Sequence, residues 1–364
     1  MFNLFKKKSH SYLGIDIGTT GIRVVQLMQT EKGIKLENYA YLETKEYLEV
    51  KGEHASFNDI KMSNNKIVID LRNVIMKAKL DTKKVIMSIP TASAFSSTIT
   101  LPDVSESEMA KAVDFEARRY IPIPLNEVVF DWSVIKKIKK AKKDSSDKKF
   151  ENEILLVAIS KETTNKYVNI VKELGLELVS LETEPFSLAR CLVGKDEGVF
   201  AIVDMGNKMT SISIVENGSL SGSHSISGTG GEEITKMISR GFNVDLNRAE
   251  KLKIDFSSNK NSEVENKMFD IILPMVNILV SEINNVNDLH FVNNKEKVKK
   301  IILTGGSVGI PGLVKHLTKE LDIPVEVGNS WKNIICNTAL HDKLEKNSPF
   351  FSVAVGLALR GFEK

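Results

Sequence analysis

One motif occurs twice in this chain. An apolar strand-like run ending in Asp-x-Gly closes Tyr12-Leu13-Gly14-Ile15-Asp16-Ile17-Gly18, and it recurs at Phe200-Ala201-Ile202-Val203-Asp204-Met205-Gly206. Each copy continues into a second β-patterned stretch, Ile22-Arg23-Val24-Val25 in one and Thr210-Ser211-Ile212-Ser213-Ile214 in the other. Each then turns at Glu-x-Gly, Glu31-Lys32-Gly33 and Glu216-Asn217-Gly218. Period-2 alternation broken at such turns predicts an antiparallel meander, and a repeated meander predicts two halves of one design.

The chemistry of the repeat points at phosphate. An Asp at a strand end before a Gly turn offers a carboxylate to a cation and free backbone N–H groups to an anion. Glycine lets the backbone come close because it has no Cβ. Two such hairpins face to face would clamp phosphates at Gly18 and Gly206, with Thr19, Thr20 and Thr210 adding hydroxyl donors. Mg²⁺ keeps most of its waters, so Asp16 and Asp204 are expected to hold it through water. Two more glycine sites are read as entrances to helices. Gly230-Gly231 opens a helix through Ile234–Ser239, and Gly305-Gly306 follows a strand at Lys300–Ile302 and leads to a helix from Pro311.

Composition excludes several alternatives. Hydrophobic residues make up 42% and charged residues 27% of 364, with a net charge of +3, which fits a globular fold and argues against a strongly basic nucleic-acid binder. Two cysteines, Cys191 and Cys336, give no disulfide framework and no CxxC site, and point to a reducing compartment. The most apolar long window, Met268 to Ile283, contains Asp270, Pro274, Asn277 and Glu282. It falls short of the ~20 residues that a bilayer needs, and is read as a buried helix. Phe2, Leu4 and Phe5 beside Lys6–Lys8 read as a frayed terminus, not a signal peptide.

Between the two meanders the pattern changes. Residues 43–65 are polar and read as a surface insertion. Ile67–Leu80 is helical, Val85–Ile89 a short strand, and Glu106–Tyr120 a helix stopped by Ile121-Pro122-Ile123-Pro124. Strands at Val128–Ile135 and Ile154–Ile159 flank residues 136–149, where eight of fourteen are lysine. With no interleaved aromatics, that tip is a solvated hairpin and no nucleic-acid site. A helix at 160–174 and a strand at Leu176–Leu181 complete a small α/β unit spanning 85–178.

Five segments resemble the motif set of the actin-like ATPases: Gly14–Leu27 and Ala201–Ile214 the two phosphate motifs, Ile302–Gly312 the adenosine motif, Leu181–Ala189 and Val353–Gly361 the connecting helices. Within that superfamily the chain resembles the PilM family, FtsA-like proteins of type IV pilus assembly. Glu116–Pro124, Glu182–Phe186, Leu303–Leu313 and Ile323–Trp331 carry the closer match.

The resemblance implies an α/β actin-like ATPase fold, two RNase H-like domains around a nucleotide cleft, with an FtsA-type inserted subdomain. The first domain is placed at 1–84, completed by 179–198 and the helix 349–364; the insert at 85–178; the second domain at 199–348. It implies ATP and Mg²⁺ as ligands, Glu250 and Lys253 bordering adenine and ribose, and Glu184 orienting the attacking water, with hydrolysis slow at most. Arg23 stands where the family more often has Lys. The implied partner is the N-terminal cytoplasmic tail of PilN, in a groove between the first domain and the insert with Arg118 and Arg119 on its wall. Other inner-membrane pilus assembly proteins follow as partners. The place is the cytoplasm, at the inner face of the membrane, with indirect membrane contact.

Three rival functions share some of these residues. A sugar or acetate kinase has the same phosphate motifs but needs a shaped substrate pocket where this chain carries the insert. FtsA itself ends in an amphipathic membrane helix, whereas this chain stops at Arg360–Lys364 after its closing helix. Gly305-Gly306-Ser307-Val308-Gly309 fits a nucleophile elbow with His316 and His341 downstream, but a hydrolase leaves the paired hairpins unexplained.

Overall fold

The computed structural model describes residues 10–43, 48–50, 60–62, 64–140, 149–256 and 262–363. The first meander is β1 (Ser11–Gly18), β2 (Gly21–Thr30) and β3 (Gly33–Glu43), paired antiparallel with Asp16 opposite Arg23. The second is β11 (Val199–Met205), β12 (Met209–Glu216) and β13 (Ser219–Ser227), with Asp204 opposite Ser211. Each meander gains two parallel strands beyond its first. These are β6 (Lys84–Ile89) and β10 (Glu177–Thr183) in one sheet, β14 (Val298–Thr304) and β15 (Val325–Val327) in the other. The two five-stranded sheets have the same order, so the duplication read from two hairpins extends to whole domains.

Helices fill three layers around these sheets. On the outer face of the first sheet, α1 (Asn64–Lys77) and α3 (Lys161–Glu173) cover Leu13, Ile15, Val24 and Val85. The second sheet's outer face carries α5 (Gly231–Phe242), α6 (Leu246–Phe256), α7 (Ser262–Asn294) and α8 (Leu313–Leu321). Between the sheets lie α4 (Glu184–Leu188), the turn Ala189–Val193, the short α9 (His341–Lys346) and α10 (Ser348–Arg360). There Val25, Leu27 and Ile86 of one sheet and Phe200, Ile202 and Ile302 of the other share one core with Phe351, Ala354 and Leu357. Two glycines permit this closeness. A Cβ on Gly14 would lie 1.9 Å from the Ala354 carbonyl, and one on Gly356 2.0 Å from the Ser187 carbonyl.

The inserted unit is smaller than the sequence indicates. Its three-stranded sheet, β7 (Ala94–Pro102), β9 (Lys149–Ser160) and β8 (Val128–Lys140) in that order, packs one face on α2 (Glu106–Tyr120). The Glu108 carboxylate caps α2 by accepting from the Ser105 N–H and hydroxyl. The proposed limits 85–178 therefore err at both ends: β6 and β10 belong to the first sheet, and α3 to its outer layer. The insert's other face meets β13, and Lys136 reaches Glu216 of the second domain at 3.1 Å. Within 43–65, the stretch read as a polar surface insertion, β4 (Leu48–Val50) and β5 (Ile60–Met62) form an antiparallel pair. The N-terminal cluster Phe2–Lys8 and most of the lysine-rich tip lie outside the described residues.

The window Met268–Ile283 is part of a much longer helix than expected. α7 spans 33 residues, and Lys267–Asn294 is long and apolar enough, by length and composition, to cross a membrane. Met268, Ile272, Met275, Val276, Leu279 and Ile283 recur at helical spacing and enter the second domain's core. Ile278, Leu289 and Val292 face outward.

Candidate functional site

The two Asp-x-Gly turns face one cleft. A small chamber of about 130 Å³ is walled by Asp16, Gly18, Thr19, Thr20 and Arg23 from the first hairpin, and Asp204, Gly206, Asn207 and Lys208 from the second. Glu184 and Thr91 close its floor, and Phe350 its side. It adjoins a larger chamber of about 1020 Å³, and Thr20, Arg23, Gly206, Asn207 and Phe350 border both. Tyr41, Glu250, Lys253, Gly305, Gly306 and Ser307 help to line the larger one. That is at the upper end of the size range of small-molecule sites, about 300–1,000 Å³.

Three carboxylates gather at the small chamber under different constraints. Asp16 is 4% exposed and both its oxygens are engaged: Ser88 Oγ donates to Oδ1 at 2.8 Å and Arg23 Nη1 to Oδ2 at 2.9 Å. Glu184 begins α4 and accepts from the Thr91 N–H at 3.1 Å and hydroxyl at 2.9 Å, both on Oε2. Burial, with Asp16 and Asp204 nearby, pushes its carboxyl up to about 7. Asp204 has no hydrogen-bond donor among the described residues, and burial beside Asp16 pushes it up to about 6 despite Arg23. Beneath them the fully buried Tyr167 hydroxyl has no partner among the described residues, and burial with the charges of Glu184 and Asp16 pushes its pKa up. The neighbouring Glu182 is held bidentate by Arg190 at 2.6 and 3.0 Å, so of the two acids in this segment Glu184 serves the cleft.

These shifts make a stability prediction. A carboxyl whose pKa is higher folded than unfolded binds more protons in the folded state, so its ionisation destabilises as pH rises. The penalty is absent below about pH 4 and complete above about pH 7 for Glu184. Discounted for the chamber's opening to water, Glu184→Gln and Asp204→Asn are each expected to stabilise the ligand-free protein by about 1–2 kcal/mol at pH 8. Urea unfolding at pH 8 and pH 5 measures this. A gain that does not shrink at pH 5 would show that the charge is not its cause.

Several expected site residues turn out to serve the fold. Thr210 is fully buried and its hydroxyl donates to the Thr229 carbonyl at 2.9 Å, so it offers nothing to phosphate. Strand alternation puts its neighbour Ser211, with Ser225 across from it, on the chamber wall. Gly230 and Gly231 sit behind the second hairpin, outside both chambers. The first N–H groups of α5 are spent there, Gly231 on the Gly206 carbonyl at 2.9 Å and Glu232 on that of Asn207 at 2.8 Å. This helix end braces the Gly206 turn, and these donors are not free for an anion. Gly305 and Gly306 do line the larger chamber, but the helix after them begins only at Leu313. Gly305 adopts φ +97°, and a Cβ there would lie 2.5 Å from Asp204 Oδ1. Its N–H donates to Pro349.

Glu250 and Lys253 stand together on α6 at the chamber wall, 2.8 Å apart, with Lys253 also donating to the Gly231 carbonyl at 3.0 Å. Sequence reading missed Ser88, Thr91, Tyr41 and Phe350. Ser88 and Thr91 reach the acids only through the parallel pairing of β6 between β1 and β10, which no local pattern reveals.

A cation and phosphates fit this donor set. Among the described residues no group of three His, Cys, Asp or Glu side chains is poised to hold a metal directly. The orphaned Asp204 carboxylate and the turns at Gly18 and Gly206 instead suit a hydrated cation between phosphate and protein. A cavity lies beside α2, on the stretch expected to wall the groove. Of about 580 Å³, it is lined by Arg118 and residues 121–126 alone, all within the insert, and Arg119 turns away to Glu116 at 3.2 Å.

Comparison with known proteins places the fold. The chain is 24% identical to the cell division protein FtsA of Bacillus subtilis (strain 168) over 241 residues, 59% of this chain and 54% of that protein. It is 27% identical to FtsA of Enterococcus faecalis (strain ATCC 700802 / V583) over 164 residues, 40% and 37% of the two chains. The chain thus matches about half or less of the length of these curated relatives. Among solved structures it is similar to a PilM-PilN type IV pilus biogenesis complex, with TM-score 0.79, 23% identity and coverage of 97% and 99%. It also resembles the ethanolamine utilization protein EutJ from Carboxydothermus hydrogenoformans, with TM-score 0.58, 16% identity and coverage of 96% and 89%. The actin-like fold expected from the sequence motifs is the fold observed. Residues 14–362, which hold both hairpins, the insert and the closing helix, match the type IV pilus assembly protein PilM family as one unit, and the chain belongs to that family.

Proposed function

We propose that this chain binds ATP with Mg²⁺ in the interdomain cleft and acts as a cytoplasmic adaptor of the type IV pilus inner-membrane assembly. The observation that carries the nucleotide reading is the pair of Asp-x-Gly turns meeting at a small acidic chamber beside a larger one. Gly18, Thr19, Thr20, Arg23 and Gly206 would hold the phosphates there, with adenosine in the chamber bordered by Glu250, Lys253, Gly305 and Gly306. Asp16 and Asp204 would hold the cation through its waters, and the bound cation would neutralise phosphate charge. Glu184, fixed by Thr91 on one oxygen, keeps the other for a water. One acid without further help fits slow turnover at most.

The partner is the N-terminal cytoplasmic tail of PilN. Family membership and the likeness to a PilM-PilN complex support this. The cavity beside Ile121-Pro122-Ile123-Pro124, with Phe115 and Tyr120 exposed on α2, supplies an apolar wall for an extended peptide, and Arg118 a donor for its carbonyls. Through PilN the chain would sit at the inner face of the cytoplasmic membrane, and other assembly proteins would be reached the same way. Calorimetry with the tail peptide of the same organism's PilN tests this. Ile123→Asp is expected to weaken the peptide about tenfold or more and leave nucleotide affinity unchanged. Absence of peptide binding to the folded protein, with and without Mg·ATP, would remove the adaptor reading.

A further inference from the structure

Arg23 stands at the junction of the two chambers and borders both. Its Nη1 donates to Asp16 Oδ2 at 2.9 Å, and its guanidinium carbon lies 4.0 Å from the centre of the Phe350 ring and 5.9 Å from that of Tyr41. Gly18 makes room for this pose, since a Cβ there would lie 2.9 Å from Nη1. The buried Nε–H has no acceptor among the described residues. The side chain thus spends one donor on a carboxylate and keeps another, dry and unpaired, within the cleft. An unpaired buried donor on a cation is costly, and a second anion is what would satisfy it.

We propose that Arg23 is the exchangeable counter-ion of the cleft: it occupies Asp16 until phosphate draws it away, so that Asp16 accepts a hydrated cation only when phosphate is present. The inference rests on the nucleotide reading above and adds how the site selects the metal–nucleotide complex over free metal. A guanidinium and a divalent cation at one carboxylate repel each other, and in a half-buried site that repulsion is several-fold stronger than in water. Ser88 already engages the other Asp16 oxygen, which crowds the carboxylate further. The Phe350 face gives the guanidinium a surface along which it leaves Asp16 without losing its stacking. The planar fork suits a phosphate, with Nε and Nη donors side by side. A lysine at this position would neutralise Asp16 but provide neither the fork nor the flat stacking surface.

The test uses the full chain as wild type, Arg23→Met and Arg23→Lys, with folding checked by thermal unfolding. Mn²⁺ alone is titrated by the electron paramagnetic resonance signal of the free ion, and ADP in excess chelator by calorimetry. Arg23→Met is expected to bind Mn²⁺ alone about tenfold or more tightly than wild type, and metal-free ADP about tenfold or more weakly. Arg23→Lys should still exclude Mn²⁺ better than Arg23→Met, yet lose metal-free ADP affinity several-fold for want of the fork. If the methionine variant does not fold, undiminished ADP affinity in the lysine variant overturns the exchange. Equal Mn²⁺ affinity in wild type and Arg23→Met, with ADP bound normally by wild type, also overturns it and leaves the nucleotide reading intact. Failure of wild type to bind ADP with or without metal removes that reading and this inference together.

Discussion

Replacing Gly14 with valine is expected to destabilise the protein by about 3–5 kcal/mol, enough to remove most of the stability of an ordinary domain. A Cβ at this position would lie 1.9 Å from the Ala354 carbonyl oxygen and 2.6 Å from the Ala358 amide nitrogen. Both atoms are backbone of α10, so no rotamer change relieves the clash. The helix would have to lift off β1, opening the shared core at Val25, Ile86 and Leu357. Gly222→Ala is the control, because nothing lies within 4 Å of its added Cβ, and its effect should stay within about 0.5 kcal/mol. Urea unfolding of both variants checks the pair. Wild-type stability in Gly14→Val would mean that α10 does not lie on β1 in solution.

The second large effect belongs to the cleft. Asp204→Asn is expected to lower affinity for Mg·ATP by about 10–100-fold, the weight of one or two charge-assisted contacts, and to leave adenosine within about twofold. Adenosine lacks the phosphates and the cation that this carboxylate is proposed to meet, so it would report the larger chamber alone. Because the same substitution is expected to stabilise the ligand-free protein above pH 7, lost binding is not attributable to unfolding. Parallel calorimetry with the two ligands decides the matter. Equal losses for both would show that Asp204 shapes the pocket and has no part in holding the cation.

What could be read from the sequence was what local pattern encodes. Both meanders follow from period-2 alternation ending at Asp-x-Gly and Glu-x-Gly, and α2 from its spacing and its Pro-rich stop. The ends of the insert were misplaced because β6 and β10 join the first sheet by parallel pairing between residues about ninety apart, and periodicity is silent on which sheet a short apolar strand enters. Thr210 faces the core and Ser211 the wall because one step along a strand exchanges the two, a parity that hydroxyl chemistry alone does not reveal. The N-terminus of α5 read as an open anion site because nothing local shows that the Gly206 and Asn207 carbonyls fill it. The family resemblance placed Glu184, Glu250 and Lys253 at the cleft, but not Thr91 or Ser88, which hold the acids in place.

The position of α10 bears on how the protein is made. Every strand of the second sheet lies between Val199 and Val327, whereas the first sheet begins at Ser11 and is covered on its inner face chiefly by Ser348–Arg360. As the chain leaves the ribosome, the half synthesised first is therefore expected to be completed last. Until α10 emerges, Val25, Leu27 and Ile86 lack most of their cover, and an uncovered sheet face is what folding helpers recognise and what aggregation recruits. Vectorial synthesis, which usually favours the N-terminal part of a protein, here leaves that part waiting on α10.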